Sequence, residues 1–226
     1  MTALVEMPPM LLGMDWMDPA WLLDQFGQQL FWISLVIIFV ECGLFFPFLP
    51  GDTLLFALGL FISGEKIDIV PGSHVLDLFA ALVLCGLAGF LGNVAGYEIG
   101  HAIGPPLYER DGRLLKRSYF DKTHRFFERH GNKALVIGRF VPFVRTFITV
   151  VAGVTRMQRH RFFLWSAVGA ALWVLTITLL GYFLGSAFPT LGENIDLAMI
   201  AILAFSVIPV AWEWRRHRRH GAQVPD

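Results

Sequence analysis

Long apolar runs constrain this chain more than any other feature, because about 20 apolar residues suffice to cross a bilayer as a helix. Four such runs predict transmembrane helices, at about 27–46, 75–104, 161–186 and 194–214. Composition agrees, since 55% of the residues are hydrophobic and 16% are charged, against about 25% charged in a typical soluble domain. We therefore predict an all-α integral membrane protein in which residues 1–226 form a single membrane domain.

The basic residues are distributed unevenly along the chain, which gives a prediction of topology. Of the 18 Lys and Arg, only Lys66 precedes residue 110. The positive-inside rule places segment 110–133, the turn at 156–161 and the basic tail at 215–226 in the cytoplasm. This predicts four membrane crossings with both termini in the cytoplasm. Two interfacial helices are also expected, a short one at 16–28 and an amphipathic one at 110–133. Nucleic acid is not an expected partner, because the basic residues flank apolar runs.

Two further apolar segments, 47–62 and 134–154, are interrupted by helix-breaking residues and by charges. The breakers are Pro47, Pro50 and Gly51 in the first segment and Pro142 in the second. Irregular backbone at membrane depth is tolerated only inside protein or beside a wet cavity, so each segment is predicted to form a re-entrant hairpin. The two segments share an order of aromatic, Pro-Phe, charged residue and Thr. With opposite entry sides, they predict an inverted repeat of the kind that builds transporter sites near the midplane.

Four ionisable residues lie in or beside these hairpins: Glu41, Asp52, Arg139 and Arg145. Each costs from about 2.5 kcal/mol upward at bilayer depth, so such residues usually face protein or water. One interpretation is a neutral structural cluster in which pairing makes burial tolerable. The other is functional: the arginines bind a phosphate, for which bidentate guanidinium groups are suited, and the acids carry protons. Burial favours a protonated carboxyl and a nearby arginine favours an ionised one, so either acid remains a candidate for the proton.

The second apolar run carries a ladder of small residues and two polar side chains. Asn93 and Glu98 are secondary candidates for lining the site. The glycines recur every fourth residue, which predicts close helix packing within a monomer or between protomers: Gly92, Gly96, Gly100 and Gly104. Cys42 and Cys85 are interpreted as buried apolar residues, and no Cys/His spacing indicates a metal site. No cofactor is expected.

Several motifs together resemble the DedA family of membrane proteins, which is related to the eukaryotic VTT-domain lipid scramblases. The matching motifs cover roughly residues 38–155 in family order: Glu41, FPFLPGD (46–52), GNVAGYEIG (92–100), FFERHG (126–131), GRFVPFVRTF (138–147) and AGV (152–154). The resemblance implies two opposed re-entrant hairpins and translocation of a lipid or lipid carrier. It also implies an essential acidic pair, Glu41 and Asp52, and an essential arginine pair, Arg139 and Arg145.

Three classes of function follow from the residues and the resemblance. The first is a flippase for a polyprenyl phosphate, with undecaprenyl phosphate as the leading candidate, driven by a proton or sodium gradient. No G-x-x-x-x-G-K-[ST] motif is present to bind ATP. The second is a less selective phospholipid scramblase. A structural or stress-sensing role in membrane homeostasis, without transport, is a separate alternative. The third is a lipid phosphotransferase, suggested by Asp111-Gly112-Arg113, but the further aspartates of that motif are missing. A transporter, not an enzyme, is therefore expected.

Overall fold

The computed structural model describes residues 19–44, 49–70, 72–103, 125, 127 and 129–188, and these residues contain helices and no β-strand. A short helix, α1 (Pro19–Phe26), leads through a 3-10 turn into α2 (Leu30–Gly43). Helix α3 (Gly51–Ser63) and the long helix α4 (His74–Ile103) follow. A single turn, α5 (Ala134–Ile137), then precedes α6 (Pro142–Val154) and the long helix α7 (Arg159–Ala187). The predicted all-α class is confirmed.

Three segments of the described chain are long and apolar enough to cross a membrane: Trp21–Gly43, His74–Ile103 and Arg159–Ala187. They coincide with the first three predicted crossings, and α1 and α2 together form the first of them. The fourth predicted crossing, the basic tail, Pro47 and Gly104 lie outside the described residues, as does most of the predicted amphipathic helix at 110–133.

The two predicted hairpin segments have related helical structure. Each contains a helix of 13 residues, α3 or α6. Pro50 occupies the N-cap of α3, and α6 begins with Pro142, where a missing N–H costs nothing because the first helical N–H groups have no partner within the helix. The residue before a proline is disfavoured in helical conformation, and Val141 is extended (φ −108°, ψ 108°). The second segment is thus two helical pieces joined at Val141. Re-entrant entry into the membrane from opposite sides remains a prediction.

Two large apolar cores lie in the part of the chain that the structure describes. The first joins α1, α2 and α3 to the early part of α4 and to Trp173 and Val174 of α7. The second joins α5 and α6 to Tyr97 of α4 and Phe162 of α7. Helices α4 and α7 therefore contribute to both cores, whereas α3 and α6 each belong to one.

Helices α3 and α6 each cross one long helix at reciprocal glycines. Where α3 crosses α7, a Cβ at Gly59 would overlap the backbone of α7, and a Cβ at Gly181 would overlap the backbone of α3. Where α6 crosses α4, Gly153 and Gly100 have the same relationship. Both crossings are backbone to backbone, which only glycine permits.

Candidate functional site

One guanidinium joins the acidic residues of two different helices. Nη1 of Arg145, on α6, donates to both carboxylate oxygens of Asp52, on α3, at 2.6 Å. Nη2 of the same side chain donates to Oε1 of Glu41, on α2. Arg145 is thus held to two residues that lie 93 and 104 positions before it in the chain. We refer to Glu41, Asp52, Arg139 and Arg145 as the charge cluster.

Local backbone structure places both acids of the charge cluster. Asp52 lies in the first turn of α3, where the positive end of the helix dipole favours a carboxylate. The N–H of Gly51 donates to Oε2 of Glu41 at 2.8 Å, which gives that carboxylate a second partner. A Cβ at position 51 would overlap the Glu41 carboxylate. The Pro-Gly-Asp sequence therefore supplies a helix start, a close approach and an acid in three consecutive residues.

The side chains of the charge cluster differ in how much of their surface is exposed. The side chain of Glu41 is 5% exposed, that of Arg145 is 19% exposed and that of Asp52 is 40% exposed. Removing one partner from a buried ion pair costs about 3–5 kcal/mol, because the remaining charge has lost both water and partner. With two acids and two arginines the charge cluster is formally neutral, which makes this degree of burial tolerable.

Arg139 differs from Arg145 in its partners. It is 7% exposed, and among the described residues no carboxylate lies within 4.0 Å of its guanidinium. Its Cζ instead lies over the ring of Trp173, 5.4 Å from the centroid. The sequence assigned both arginines to the phosphate; in the structure Arg145 is ion-paired, whereas Arg139 lies over Trp173 and has a side-chain hydrogen bond with Cys42.

Trp173 is a member of the site that sequence reasoning missed. Its indole N–H donates to Oδ1 of Asp52 at 2.8 Å, and Cζ of Arg145 lies 5.6 Å from its ring centroid. Trp173 lies near the middle of α7 and is 2% exposed. Tryptophan in membrane helices favours the two interfaces, so its place in the middle of an apolar run was a usable signal.

A small cavity adjoins the charge cluster. It encloses about 10 Å³, roughly the room that one water molecule needs. Six residues line it: Glu41, Cys42, Asn93, Arg139, Arg145 and Trp173. The secondary candidate Asn93 is 2% exposed and donates through Nδ2 to Oγ of Ser166 on α7 at 2.8 Å. Four helices, α2, α4, α6 and α7, and the turn before α6 therefore each contribute a polar group to the cavity wall.

The other secondary candidate, Glu98, lies away from the cavity. It accepts two hydrogen bonds of 3.0 Å from Arg159, one from Nε and one from Nη2. The two side chains are 42% and 59% exposed. Glu98 therefore belongs to an ion pair at the surface, between the end of α4 and the start of α7.

The described glycines of the ladder lie at helix contacts. Gly92 faces Phe39 and Cys42 of α2, and Gly96 faces Thr149 of α6. Gly100 faces the backbone of α6, as described above. The ladder brings α2 and α6 close to α4, which places Glu41 and Arg145 on neighbouring helices. Within the described part of the chain, no group of three His, Cys, Asp or Glu is placed to hold a metal ion.

Three helical segments long and apolar enough to cross a membrane, together with an ion-paired polar site between the helices, define the class: an α-helical integral membrane protein with an internal charged site. A family model described as the VTT domain matches residues 46–183, and Protein DedA of Escherichia coli K12 is 38% identical over 205 residues, covering 90% of each chain. The chain belongs to the DedA family of VTT-domain membrane proteins.

Other relatives agree with this assignment, and the resemblance drawn from the motifs is confirmed. An uncharacterized membrane protein of Mycobacterium leprae is 38% identical over 226 residues, covering 98% of this chain and 96% of its own. The inner membrane protein YqjA of Escherichia coli K12 is 32% identical over 182 residues, covering 80% and 78%. No solved structure matches significantly.

Proposed function

We propose that this protein moves a lipid phosphate carrier, with undecaprenyl phosphate as the first candidate, between the leaflets of the bacterial inner membrane. A proton or sodium gradient drives the movement, and both termini lie in the cytoplasm. One observation carries the proposal: two guanidiniums and two carboxylates meet beside a cavity in the interior of a membrane protein. Such an arrangement suits a phosphate head group, because arginine binds phosphate oxygens in a bidentate manner.

The geometry supports a particular order of events for such transport. In the structure Asp52 and Glu41 engage both terminal nitrogens of Arg145, and the cavity of about 10 Å³ has room for about one water molecule. A phosphate therefore reaches Arg145 only after a carboxylate has released it and the cavity has widened. Protonation of an acid provides that release, because a neutral carboxyl no longer attracts the guanidinium as an anion does. Proton binding and phosphate binding are thereby coupled.

We assign the proton to Glu41. Its side chain is 5% exposed, against 40% for Asp52, and charge is the more costly to keep in the less exposed position. When Arg145 leaves, Glu41 keeps the Gly51 N–H and Asp52 keeps the Trp173 indole N–H. Neither acid is then left without a partner while Arg145 holds the phosphate.

The lipid chain does not need to enter the protein in this scheme. The phosphate head group uses the internal site, while the polyprenyl tail stays in the surrounding lipid. Transport requires no bond to form or break, so we class the protein as a transporter and not an enzyme.

Reconstitution into liposomes tests the proposal. Undecaprenyl phosphate is added to one leaflet, and its appearance in the other is followed with and without an imposed proton or sodium gradient. Arg139→Ala and Arg145→Ala should lose transport, whereas Arg161→Ala, at the start of α7, should keep it. Normal transport in both charge-cluster variants would overturn the proposal.

The same assay separates the alternatives. A scramblase would move several phospholipids without a gradient and would be insensitive to Glu41→Gln and Asp52→Asn. A homeostasis protein without transport would show no lipid movement above that of empty liposomes. Release of inorganic phosphate from the lipid would identify an enzyme.

A further inference from the structure

Trp173 contacts three members of the charge cluster although it belongs to neither hairpin segment. Its indole N–H binds Asp52, and its ring lies under Arg139 and Arg145. The tryptophan is on α7, which packs against α3 and against α5. A single buried side chain on a membrane-crossing helix therefore links the acidic and the basic segments.

The contact with Arg139 stabilises a charge without occupying its hydrogen-bond donors. A cation over an aromatic face is attracted by the electrons of the ring, and the N–H groups of a guanidinium point outward in its own plane. A carboxylate partner would instead use those N–H groups. Arg139 also has a side-chain hydrogen bond with Cys42, but a guanidinium has five N–H donors. With Trp173 over its face and a position on the cavity wall, Arg139 can remain charged and still donate to an incoming oxyanion.

The contact with Asp52 acts on the other arginine. The indole N–H binds Oδ1, and both carboxylate oxygens of Asp52 accept from Arg145. Trp173 thereby fixes the orientation of the carboxylate to which Arg145 returns when it has no phosphate. The two contacts divide the arginines into one that is available and one that is occupied.

We propose that Trp173 is a positioning residue that holds Arg139 ready for the phosphate and holds Asp52 ready for Arg145. The phosphate binds Arg139 first and Arg145 second. This inference rests on the proposed function, because it concerns the same site and the same class of ligand.

Binding of dodecyl phosphate, a single-chain phosphate monoester, to the purified full chain in detergent tests this inference. Trp173→Leu removes the ring and the N–H, and its affinity should fall about thirtyfold, the size of one cation–π contact in a desolvated site. Trp173→Phe keeps a ring but loses the N–H, and its affinity for dodecyl phosphate should fall about threefold. Trp165→Leu, on the same helix but packed in the second core, is the matched control and should bind as the wild type does.

A double-mutant cycle with Arg139 separates positioning from general loss of structure. If Trp173 acts through Arg139, then Arg139→Gln should weaken binding in the wild-type background and have almost no further effect in Trp173→Leu. Independent, multiplying losses in the double variant would overturn the inference.

The controls distinguish this inference from the proposed function. A folded Trp173→Leu protein that binds dodecyl phosphate as tightly as wild type overturns the role of Trp173 and leaves the function standing. If Trp173→Leu does not fold, the Phe variant decides, and an unchanged affinity there overturns the role. No binding of dodecyl phosphate by the wild type, compared with uncharged 1-dodecanol, overturns both.

Discussion

Two arginines in this protein form ion pairs with carboxylates in different surroundings. Arg145 holds the buried Glu41 and the partly exposed Asp52, and Arg159, itself 59% exposed, holds Glu98 through two hydrogen bonds. An exposed pair contributes little to stability, because water solvates each partner and salt screens both. Glu41 and Arg145 are much less exposed, so water and salt compensate little there and their ion pair is costly to break. The comparison indicates that an ion pair identifies the functional site only where its charges are buried, because burial of charge has a large free-energy cost.

Arg145→Ala should have the largest effect of any change to these pairs. It leaves two neighbouring carboxylates without their shared partner, and we expect a loss of about 3–5 kcal/mol in the free energy of unfolding together with loss of transport. Denaturant titration in detergent and the liposome assay measure the two effects. Arg145→Lys, which keeps a charge but cannot bridge both acids with a planar fork, should recover stability only in part. If Arg145→Ala is as stable as the wild type, the Arg145 ion pairs contribute no more to stability than the Arg159 pair does.

Glu41→Gln and Asp52→Asn sharpen the comparison within the charge cluster. Glutamine retains an acceptor for the Gly51 N–H but loses the charge, and we expect a cost of about 1–3 kcal/mol. Transport by Glu41→Gln should become insensitive to the proton gradient, whereas Asp52→Asn should keep part of that response. Equal, normal responses to every gradient in both variants would contradict proton coupling through these acids.

Gly51→Ala tests whether the close approach at the start of α3 is required. The added Cβ would overlap the Glu41 carboxylate, and overpacking of this kind costs about 1–3 kcal/mol. The Tm and the affinity for dodecyl phosphate should both fall. Gly86→Ala is the control, because no atom lies within 4 Å of a Cβ built there and alanine is the better helix former. A Gly51→Ala protein as stable as Gly86→Ala would show that the contact is dispensable.

Arg159→Ala and Glu98→Ala should have the smallest effects. Both side chains are largely exposed, so we expect unchanged transport and a shift in Tm too small to measure at physiological salt. Any effect should disappear as the salt concentration rises. A loss of transport comparable to that of Arg145→Ala would show that the surface pair also belongs to the mechanism.

The membership of the charge cluster could be predicted from sequence because ionisable residues in apolar runs are costly. Glu41, Asp52, Arg139 and Arg145 stand out for that reason, and the structure brings them together. The different partners of the two arginines could not be predicted, since they depend on Trp173, an uncharged residue whose N–H acquires a role only through tertiary packing.

Helical periodicity could have separated the two secondary candidates. Asn93 and Glu98 are five residues apart, which is about 140° around a helix with 3.6 residues per turn, so they face different directions. In the structure Asn93 lines the cavity and Glu98 lies at the surface. The pairing of Asn93 with Ser166 spans 73 residues and required the fold to be known.

The reciprocal glycines at the two helix crossings also limit how the molecule can change shape. Where two backbones touch with no side chain between them, there is no flexible layer along which the helices can slide. Helix α3 must then travel with its part of α7, and α6 with its part of α4. Asp52 and Trp173 belong to the α3–α7 pair of helices, and Arg145 and Asn93 belong to the α6–α4 pair. The polar contacts that join them lie along the seam between two stiff units, where a rocking motion would part them first.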